Sequence, residues 1–333
     1  QPVSTLPLAN HSTGGDARNI TFDGFYGYVA NGDDGLFIRS AASAGEVSVT
    51  LLPGFLHNVT LDGDLAYLPM DDWGLQIADV SDVSNPVLLD DINTSGHARD
   101  VAVYHNASGT FALVADTEYD LASYDATDPT WIRPKGITYF PGQVYDIEVY
   151  GDYALVADNT GALHVVDVSL FPDPPQIMVS LEVPGSPIDL LVQDEVVFVS
   201  GGNYLNAVDL GDPLAPPLLD SLETSWAVLD VAVKDGVAYL SRSGFGMDIV
   251  DVSDPAAMQS MSEFETLSDP AGLDVYEDRV FLCKGDEGIT ILPLQCLLSP
   301  VGDGLPGATA DLLGQAYPNP FNPRTTIAYE LPR

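Results

Sequence analysis

Short apolar stretches recur along the chain and alternate with turns rich in Gly, Asp, Asn and Pro. Each stretch covers about four to six positions, as expected for half-buried and buried β-strands. One series of such strands reads YGYVA (26–30), LAYLP (65–69), FALVA (111–115), YALVA (153–157), VVFVS (196–200), VAYLS (237–241) and RVFLC (279–283). A second series includes GLFI (35–38), GLQIADV (74–80), ALHVVDV (162–168), MDIVDV (247–252) and GITIL (288–292). Helical periodicity is missing from these units, so the pattern predicts an all-β protein.

The strands belong to a unit that occurs seven times. Each copy opens its first strand with an Asp or Asn, at Asn19, Asn58, Asp100, Asp146, Asp189, Asp230 and Asp274. The intervals between these positions are 39, 42, 46, 43, 41 and 44 residues. Units of this length with four short strands are typical of β-propeller blades, whereas the rungs of a β-helix are much shorter.

The two ends of the repeat region complement each other. The seventh unit ends after its third strand, near Leu294, and residues 1–14 align with a fourth strand, NPVLLDDINTSG (85–96). The N-terminal strand therefore completes the last blade and removes an open sheet edge. We predict a seven-bladed β-propeller over residues 1–296, closed by an N-terminal strand and followed by a short extended tail.

The repeat units resemble the LVIVD repeat family of bacterial and archaeal surface propellers. The resemblance is clearest in VADNTGALHVVDVS (156–169) and AYLSRSGFGMDIVDVSDP (238–255), and it covers residues 1–296. It implies the propeller fold and an extracellular setting. It implies no particular reaction, because the family has no settled activity.

The composition changes after the last repeat. Residues 297–315 form a Gly- and Pro-rich linker, and residues 316–333 contain AYPNPFNPRTTIAYELP. This motif resembles the start of the C-terminal sorting domain of bacterial type IX secretion, or of the related FlgD-like immunoglobulin domain. The resemblance implies contact with the secretion machinery through this tail and a location outside the cell or on its outer surface. The sequence stops after one strand of such a domain, so we expect a truncated domain.

The chain is strongly acidic, with 49 Asp and Glu against 11 Lys and Arg and a formal net charge of −38. Such a surface repels phosphate backbones and anionic lipids, which disfavours nucleic acid and membranes as partners. It suits basic partners, divalent cations or a salty environment. No apolar run is long enough to span a bilayer, and a closed ring gives little reason to oligomerise, so we expect a monomer.

Two cysteines, Cys283 and Cys296, are too few for a disulfide-rich scaffold. A hairpin that turns at residues 284–288 places Cys283 opposite Ile289 rather than opposite Cys296. We therefore expect two partly buried thiols rather than a disulfide, and no cysteine spacing indicates a zinc site.

The turns between second and third strands are rich in carboxylates, which in a propeller gather on one face around the channel. Oxygen ligands from several blades suit calcium, although Asp is also a common turn residue. The predicted calcium ligands are Asp33, Asp34, Asp71, Asp72, Asp116, Asp158 and Asp286.

Histidines and tryptophans mark a second candidate surface near the channel. His57 and His97 come just before first strands, Trp73 lies in an acidic turn, and Trp226 precedes the sixth first strand. They are the predicted ligand face, although each also fits an ordinary packing role. The acids of the DVSDP turns, such as Asp79 and Asp251, are interpreted as structural turn residues.

Three functions fit these features. The first is a non-enzymatic secreted or cell-surface module that binds an extracellular protein, glycan or polymer. The second is a secreted metal-dependent hydrolase, similar to a lactonase, with its metal in the channel. The third is a purely structural component of the cell envelope. The sequence lacks the common hydrolase, metalloprotease and nucleotide-binding motifs, which favours the first.

Overall fold

The computed structural model describes residues 9–294, except 42–44, 95, 119, 172, 244–245 and 267–269. The linker (297–315), the tail (316–333) and Cys296 lie outside the described residues. Within the described part, 28 strands form seven antiparallel sheets of four strands, so the predicted all-β seven-bladed propeller is confirmed.

The blades are numbered in chain order, and each is a simple meander of four strands. Blade 1 contains β2 (Asn19–Phe22), β3 (Tyr26–Ala30), β4 (Leu36–Ser40) and β5 (Glu46–Thr50). Blade 2 contains β6 (Thr60–Asp62), β7 (Leu65–Pro69), β8 (Leu75–Asp79) and β9 (Val87–Ile92). Blade 3 contains β10 (Ala98–Asn106), β11 (Gly109–Asp116), β12 (Asp120–Asp125) and β13 (Arg133–Thr138). Blade 4 contains β14 (Val144–Tyr150), β15 (Tyr153–Asp158), β16 (Ala162–Asp167) and β17 (Gln176–Glu182).

The last three blades follow the same plan. Blade 5 contains β18 (Pro187–Gln193), β19 (Val196–Gly201), β20 (Tyr204–Asp209) and β21 (Leu218–Glu223). Blade 6 contains β22 (Val228–Lys234), β23 (Val237–Arg242), β24 (Gly246–Asp251) and β25 (Gln259–Glu265). Blade 7 contains β26 (Gly272–Tyr276), β27 (Arg279–Cys283), β28 (Ile289–Pro293) and, as its fourth strand, β1 (Ala9–His11).

The N-terminal strand closes the ring as predicted. Ala9 pairs with Ile291 and His11 pairs with Ile289, both antiparallel. The Thr290 hydroxyl also donates a 2.6 Å hydrogen bond to the Asn10 side-chain oxygen. Blade 7 therefore has the same four-stranded form as the others, with its outer strand supplied from the other end of the repeat region.

The core lies between the blades, where second and third strands of neighbouring sheets pack face to face. One cluster joins Tyr28 and Ile38 of blade 1 to Leu68 and Met70 of blade 2, all buried. The second strands are buried at nearly every position, which explains why they read as continuous apolar runs rather than as alternating patterns. The outer fourth strands are mostly exposed or half-buried.

The acids of the DVSDP turns have the structural role predicted for them. Asp79 accepts a 2.9 Å hydrogen bond from the backbone N–H of Ser81. Asp251 accepts hydrogen bonds from both the backbone and the hydroxyl of Ser253, and these bonds lower the pKa of Asp251. Each of these carboxylates holds the turn that leads to the fourth strand.

Cys283 pairs with Ile289 across the hairpin, which confirms the predicted register. Its thiol is completely buried rather than partly buried, because β27 is covered on both faces by neighbouring strands. Among the described residues, no helix has the length and apolar character needed to cross a membrane.

Candidate functional site

The strand directions decide which connections share a face of the propeller. Strands within a blade are antiparallel, so the turns between second and third strands lie at the same end as the segments that lead into each first strand. We call this end the mouth face. The turns after the first strands and the DVSDP turns lie at the opposite face. Backbone bridges such as Asp71 to Ala98 and Gly32 to Leu56 join a mouth turn of one blade to the segment leading into the next.

The first strands surround a central channel with a cavity of about 660 Å³. The residue that opens each repeat unit lines this cavity. We call these seven the channel ring: Asn19, Asn58, Asp100, Asp146, Asp189, Asp230 and Asp274. In blades 3 to 6 the first strand has a β-bulge at the residue immediately before the ring Asp. A bulge redirects the following side chain, here toward the channel.

Hydrogen bonds from the channel ring connect successive blades. The Asn19 amide donates to the Asn58 oxygen at 3.0 Å, and the Asn58 amide donates to Asp100 at 2.6 Å. In blades 3 to 6 each ring carboxylate accepts a backbone N–H from the next blade, whereas Asp274 of blade 7 accepts the N–H of Val275 in its own strand. The donors from the next blade are Ile147 to Asp100 at 3.1 Å, Leu190 to Asp146 at 2.7 Å, Val231 to Asp189 at 2.9 Å and Leu273 to Asp230 at 2.7 Å. The ring thus ties blade 1 through to blade 7.

Burial changes the acidity of the ring carboxyls. Desolvation and the neighbouring Asp100 carboxylate raise the pKa of Asp146 well above its usual value, and desolvation and Asp230 do the same for Asp189. The pKa rises to about 6 at Asp230 and to about 7 at Asp274, mainly through burial. Asp189 is hydrogen-bonded to Asp230 and Asp146 to Asp100. The raised pKa values favour the neutral form of these buried acids, which reduces the repulsion among the acids around the channel.

The predicted calcium ligands occupy the mouth turns, but they differ in exposure. Asp33, Asp72 and Asp286 are exposed, whereas Asp34 and Asp71 are half-buried. Asp116 and Asp158 are completely buried, so these two blades do not present the predicted carboxylates to solvent. Calcium binding by this set stays a prediction.

The buried Asp158 serves its own turn. It accepts hydrogen bonds from the backbone of Thr160 at 2.6 Å and of Gly142 at 2.9 Å, and it lies 3.2 Å from His164 Nε2. Although burial acts in the opposite direction, the bonds from Thr160 and His164 lower the pKa of Asp158. Asp116 likewise accepts the backbone N–H of Glu118 at 3.0 Å, under Gly96, where any side chain would collide with the carboxylate.

Two predicted calcium ligands and one predicted ligand-face histidine do come together. His97 Nδ1 lies 2.8 Å from Asp71 Oδ1 and 2.7 Å from Asp72 Oδ1. Within the described residues these three side chains form the group whose geometry would suit a metal ion, with ligand atoms within 4.8 Å of one another. We call Asp71, Asp72 and His97 the His–Asp cluster. The backbones of Asp71 and Ala98 exchange two 3.1 Å hydrogen bonds, which bring the blade 2 turn to the segment leading into blade 3.

His57 lies beside the His–Asp cluster but has a different environment. Its Nε2 is 3.7 Å from Asp71 Oδ2, and the Arg99 guanidinium contacts its ring at 3.0 Å. Burial and the nearby Arg99 charge lower the pKa of His57 to about 4, against the attraction of Asp71. His57 is therefore a neutral histidine at physiological pH.

Both predicted ligand-face tryptophans are exposed on the mouth face. Trp73 lies in the blade 2 mouth turn and is 50% exposed, and Trp226 lies in the segment leading into blade 6 and is 49% exposed. The third tryptophan, Trp131, is 61% exposed but lies in a turn at the opposite face, where Arg133 packs over its ring. The mouth face therefore combines exposed aromatic rings with carboxylates around the channel.

A Ser–His–Asp arrangement in blade 4 was not predicted. His164 Nδ1 lies 2.8 Å from the Ser180 hydroxyl, and its Nε2 lies 3.2 Å from Asp158. The corresponding third-strand position is also a buried polar residue in four other blades: Gln76, Asn206, Asp248 and Thr290. In each case it pairs with a polar residue of the fourth strand: Asp91, Ser221, Glu263 and Asn10. We therefore interpret the blade 4 arrangement as one form of a structural polar pair.

A family comparison identifies the repeat. A model of the LVIVD repeat matches residues 14–38, 53–94, 95–136, 141–174 and 227–266, more than half of the chain. The chain belongs to the LVIVD repeat family. The stretch between the last two matches contains blade 5, which has the same four-stranded form as the other blades of this LVIVD propeller and a ring carboxylate, Asp189, as in blades 3, 4, 6 and 7. A comparison with curated proteins found no match.

Solved structures share the fold of this LVIVD propeller at low sequence identity. The β-propeller domain of Cps50 (Swd1) from Myceliophteria thermophila is 14% identical with a TM-score of 0.73, over 86% of this chain and 98% of that chain. U3-55K is 11% identical with a TM-score of 0.68, over 87% and 98% of the two chains. The RRP9 WD40 repeats are 10% identical with a TM-score of 0.68, over 88% and 98%. Such identities support the fold alone.

Proposed function

We propose that this LVIVD propeller is a non-enzymatic binding module that works outside the cell or on its outer surface. Its mouth face would receive a positively charged segment of an extracellular protein, glycan or polymer. The observation that carries this proposal is the combination, on one face, of exposed Trp73 and Trp226 with the exposed turn carboxylates Asp33, Asp72 and Asp286. Aromatic rings supply contact area, and they attract cations over their faces.

The charge of the chain supports a cationic ligand. Acidic residues outnumber basic ones by more than four to one. The described lining of the channel contains acidic side chains from six blades but no Lys or Arg. Because burial raises the pKa of several of these acids, the negative charge of the mouth face comes chiefly from exposed turn carboxylates such as Asp33 and Asp286. A field of one sign at a concave face attracts oppositely charged groups and weakens with salt.

The proposed location rests on the tail. The YPNPFNP motif at 317–323 resembles the start of a sorting domain, which would bring the chain to the secretion machinery. Fractionation of the natural host would test this, with the propeller expected in the medium or accessible to protease on intact cells. Recovery of the full chain only inside the cell would contradict it.

The binding proposal is tested with a defined probe, an oligolysine peptide titrated into the full chain at low and moderate salt. We expect Trp73→Ala and Trp226→Ala to weaken binding, whereas Trp131→Ala at the opposite face should not. Two double variants, each of which removes two carboxylates, distinguish a local effect at the mouth face from the effect of net charge. Asp33→Asn with Asp286→Asn removes two mouth carboxylates, and Asp82→Asn with Asp212→Asn removes two from the opposite face. Equal weakening by both pairs would contradict a mouth-face site.

The His–Asp cluster favours a second function, the metal-dependent hydrolase. Two carboxylates and an imidazole on the mouth face are groups that catalytic metal sites use. Turnover of ester or lactone substrates that is lost in His97→Gln would favour this function over the binding module.

A further inference from the structure

The His–Asp cluster has the composition of a transition-metal site rather than of a calcium site. It offers one imidazole nitrogen and two carboxylate oxygens, drawn from a mouth turn of blade 2 and the segment leading into blade 3. Calcium prefers six to eight oxygen ligands, whereas imidazole suits zinc and its neighbours in the first transition row. Three protein ligands leave room for water or a ligand group.

The polar atoms of the cluster lie close together, yet two of them make no hydrogen bond. His97 Nδ1 and Asp71 Oδ1 are both shielded from solvent and lack a hydrogen-bond partner, although they lie 2.8 Å apart. A single Nδ1 can donate at most one proton, but Asp71 and Asp72 both approach it within 2.8 Å. Two carboxylates this close to one nitrogen also repel each other. A divalent cation bound by all three atoms would relieve both problems.

Outer partners hold the ligand side chains, as they do in known metal sites. His97 Nε2 lies 3.5 Å from Glu118 Oε1. In known metal sites the second nitrogen of a histidine ligand commonly donates to a carboxylate in this way, usually at a shorter distance. The second oxygen of Asp71 faces His57 Nε2 at 3.7 Å. The paired backbone hydrogen bonds between Asp71 and Ala98 fix the distance between the two segments. Asp71 and His97 therefore belong to a prearranged frame, and Asp72 is supplied by the exposed turn beside it.

We infer that Asp71, Asp72 and His97 bind one divalent transition-metal ion of the zinc class on the mouth face. The site does not depend on the proposed partner, because its ligands are all within the chain. The proposal assigns His97 Nδ1 as the nitrogen ligand and Glu118 as the residue that positions it.

The test uses the metal alone and the full chain. Zn²⁺ is titrated by calorimetry after treatment with a chelator, and Co²⁺ serves as a spectroscopic probe, because its absorption reports nitrogen and oxygen ligation. We expect one tight site per chain in the wild type and loss of that site in His97→Gln. Glu118→Gln should weaken binding by about 10- to 100-fold, as removal of an outer partner typically does.

His105→Gln is the matched control. His105 also faces a carboxylate, with its Nε2 3.2 Å from Asp62, but only one. We expect this variant to bind Zn²⁺ like the wild type. Thermal melting in chelator shows whether each variant folds. Asp72→Asn changes an exposed ligand, and we expect it to weaken Zn²⁺ binding as well. Equal Zn²⁺ affinity in His97→Gln and His105→Gln would overturn the proposal, as would full displacement of Zn²⁺ by equimolar Ca²⁺. Oligolysine binding measured in chelator tests the proposed partner separately.

Discussion

Asp274→Asn should remove part of the pH dependence of folding stability. Asp274 occupies the channel ring in blade 7, and its carboxylate accepts the backbone N–H of Val275 at 2.6 Å. Blades 1 and 2 already use Asn at this position, and the oxygens of Asn19 and Asn58 accept the corresponding N–H of Ile20 and Val59. An Asn at 274 can therefore keep the hydrogen bond while losing the ionisable group.

The magnitude follows from the pKa. Burial raises the pKa of Asp274 from 3.8 to about 7. A shift of this size corresponds to about 4 kcal/mol between protonated and ionised states. The folded state keeps the proton between these two pKa values while the unfolded state releases it. The free energy of unfolding should therefore fall by about 1.4 kcal/mol per pH unit from about pH 4 to pH 7 because of this group.

The assay is urea unfolding of the wild type and Asp274→Asn from pH 4 to pH 8. We expect the two proteins to be similar at pH 4, because this pH is close to the pKa of Asp274 in the unfolded chain and little stability has yet been lost through this group. The variant should become more stable than the wild type as the pH rises, by up to about 4 kcal/mol at pH 8. Asp286→Asn, at an exposed turn of the same blade, controls for the loss of one negative charge. A stability difference between Asp274→Asn and the wild type that stays constant across this range would refute the burial argument.

Three further predictions concern other parts of the fold. Arg242 is 2% exposed and lies 2.9 Å from Asp248, so Arg242→Met should cost about 3–5 kcal/mol by leaving a buried charge unpaired. Arg133→Met, at an ion pair whose arginine side chain is 43% exposed, should cost less than about 1 kcal/mol in the same urea titration. Burial raises the pKa of the Cys283 thiol, so in Cys296→Ser a thiol reagent should label the chain only after unfolding. Rapid labelling of the native protein at pH 8 would contradict this. If the acidic mouth turns bind calcium, the melting temperature should rise saturably with Ca²⁺ and more than with Mg²⁺, and equal rises with both salts would argue for a general ionic effect.

The repeat predicts most of the fold because the features that define a blade lie close together in the sequence. Strand length, turn residues and the spacing of the units can all be read along the chain, and together they determine blade number and closure. The opposition of Cys283 and Ile289 follows for the same reason, since a short hairpin fixes register within a few residues.

The candidate site is less predictable because it depends on contacts between blades. The seven ring residues are visible in the sequence as repeat markers, but their burial and their bonds to the next blade depend on how the inner strands meet. The bulge before Asp146 has no sequence signal of its own. Asp116 and Asp158 look like exposed turn acids until Gly96 and Gly142 are seen to pack against them. The approach of His97 to Asp71 likewise depends on the offset between two blades.

The closing strand has a consequence for the order of assembly. The bond between Thr290 and Asn10 joins residues 280 positions apart, whereas the links of the channel ring join residues about one blade apart. The contacts between successive blades can therefore form as each blade is made, but the seventh sheet must wait until both ends of the repeat region are available.

Until that step, β28 presents an unpaired edge to solvent. An open strand edge can pair with a strand from another molecule. The Ala9–His11 strand of a second copy can pair with β28 because it has the same sequence as the strand that pairs there in the monomer. Two chains that exchange these segments would each complete the blade 7 of the other without changing any blade interior. The three-residue strand that seals the monomer is thus also the segment through which a strand-swapped dimer would form.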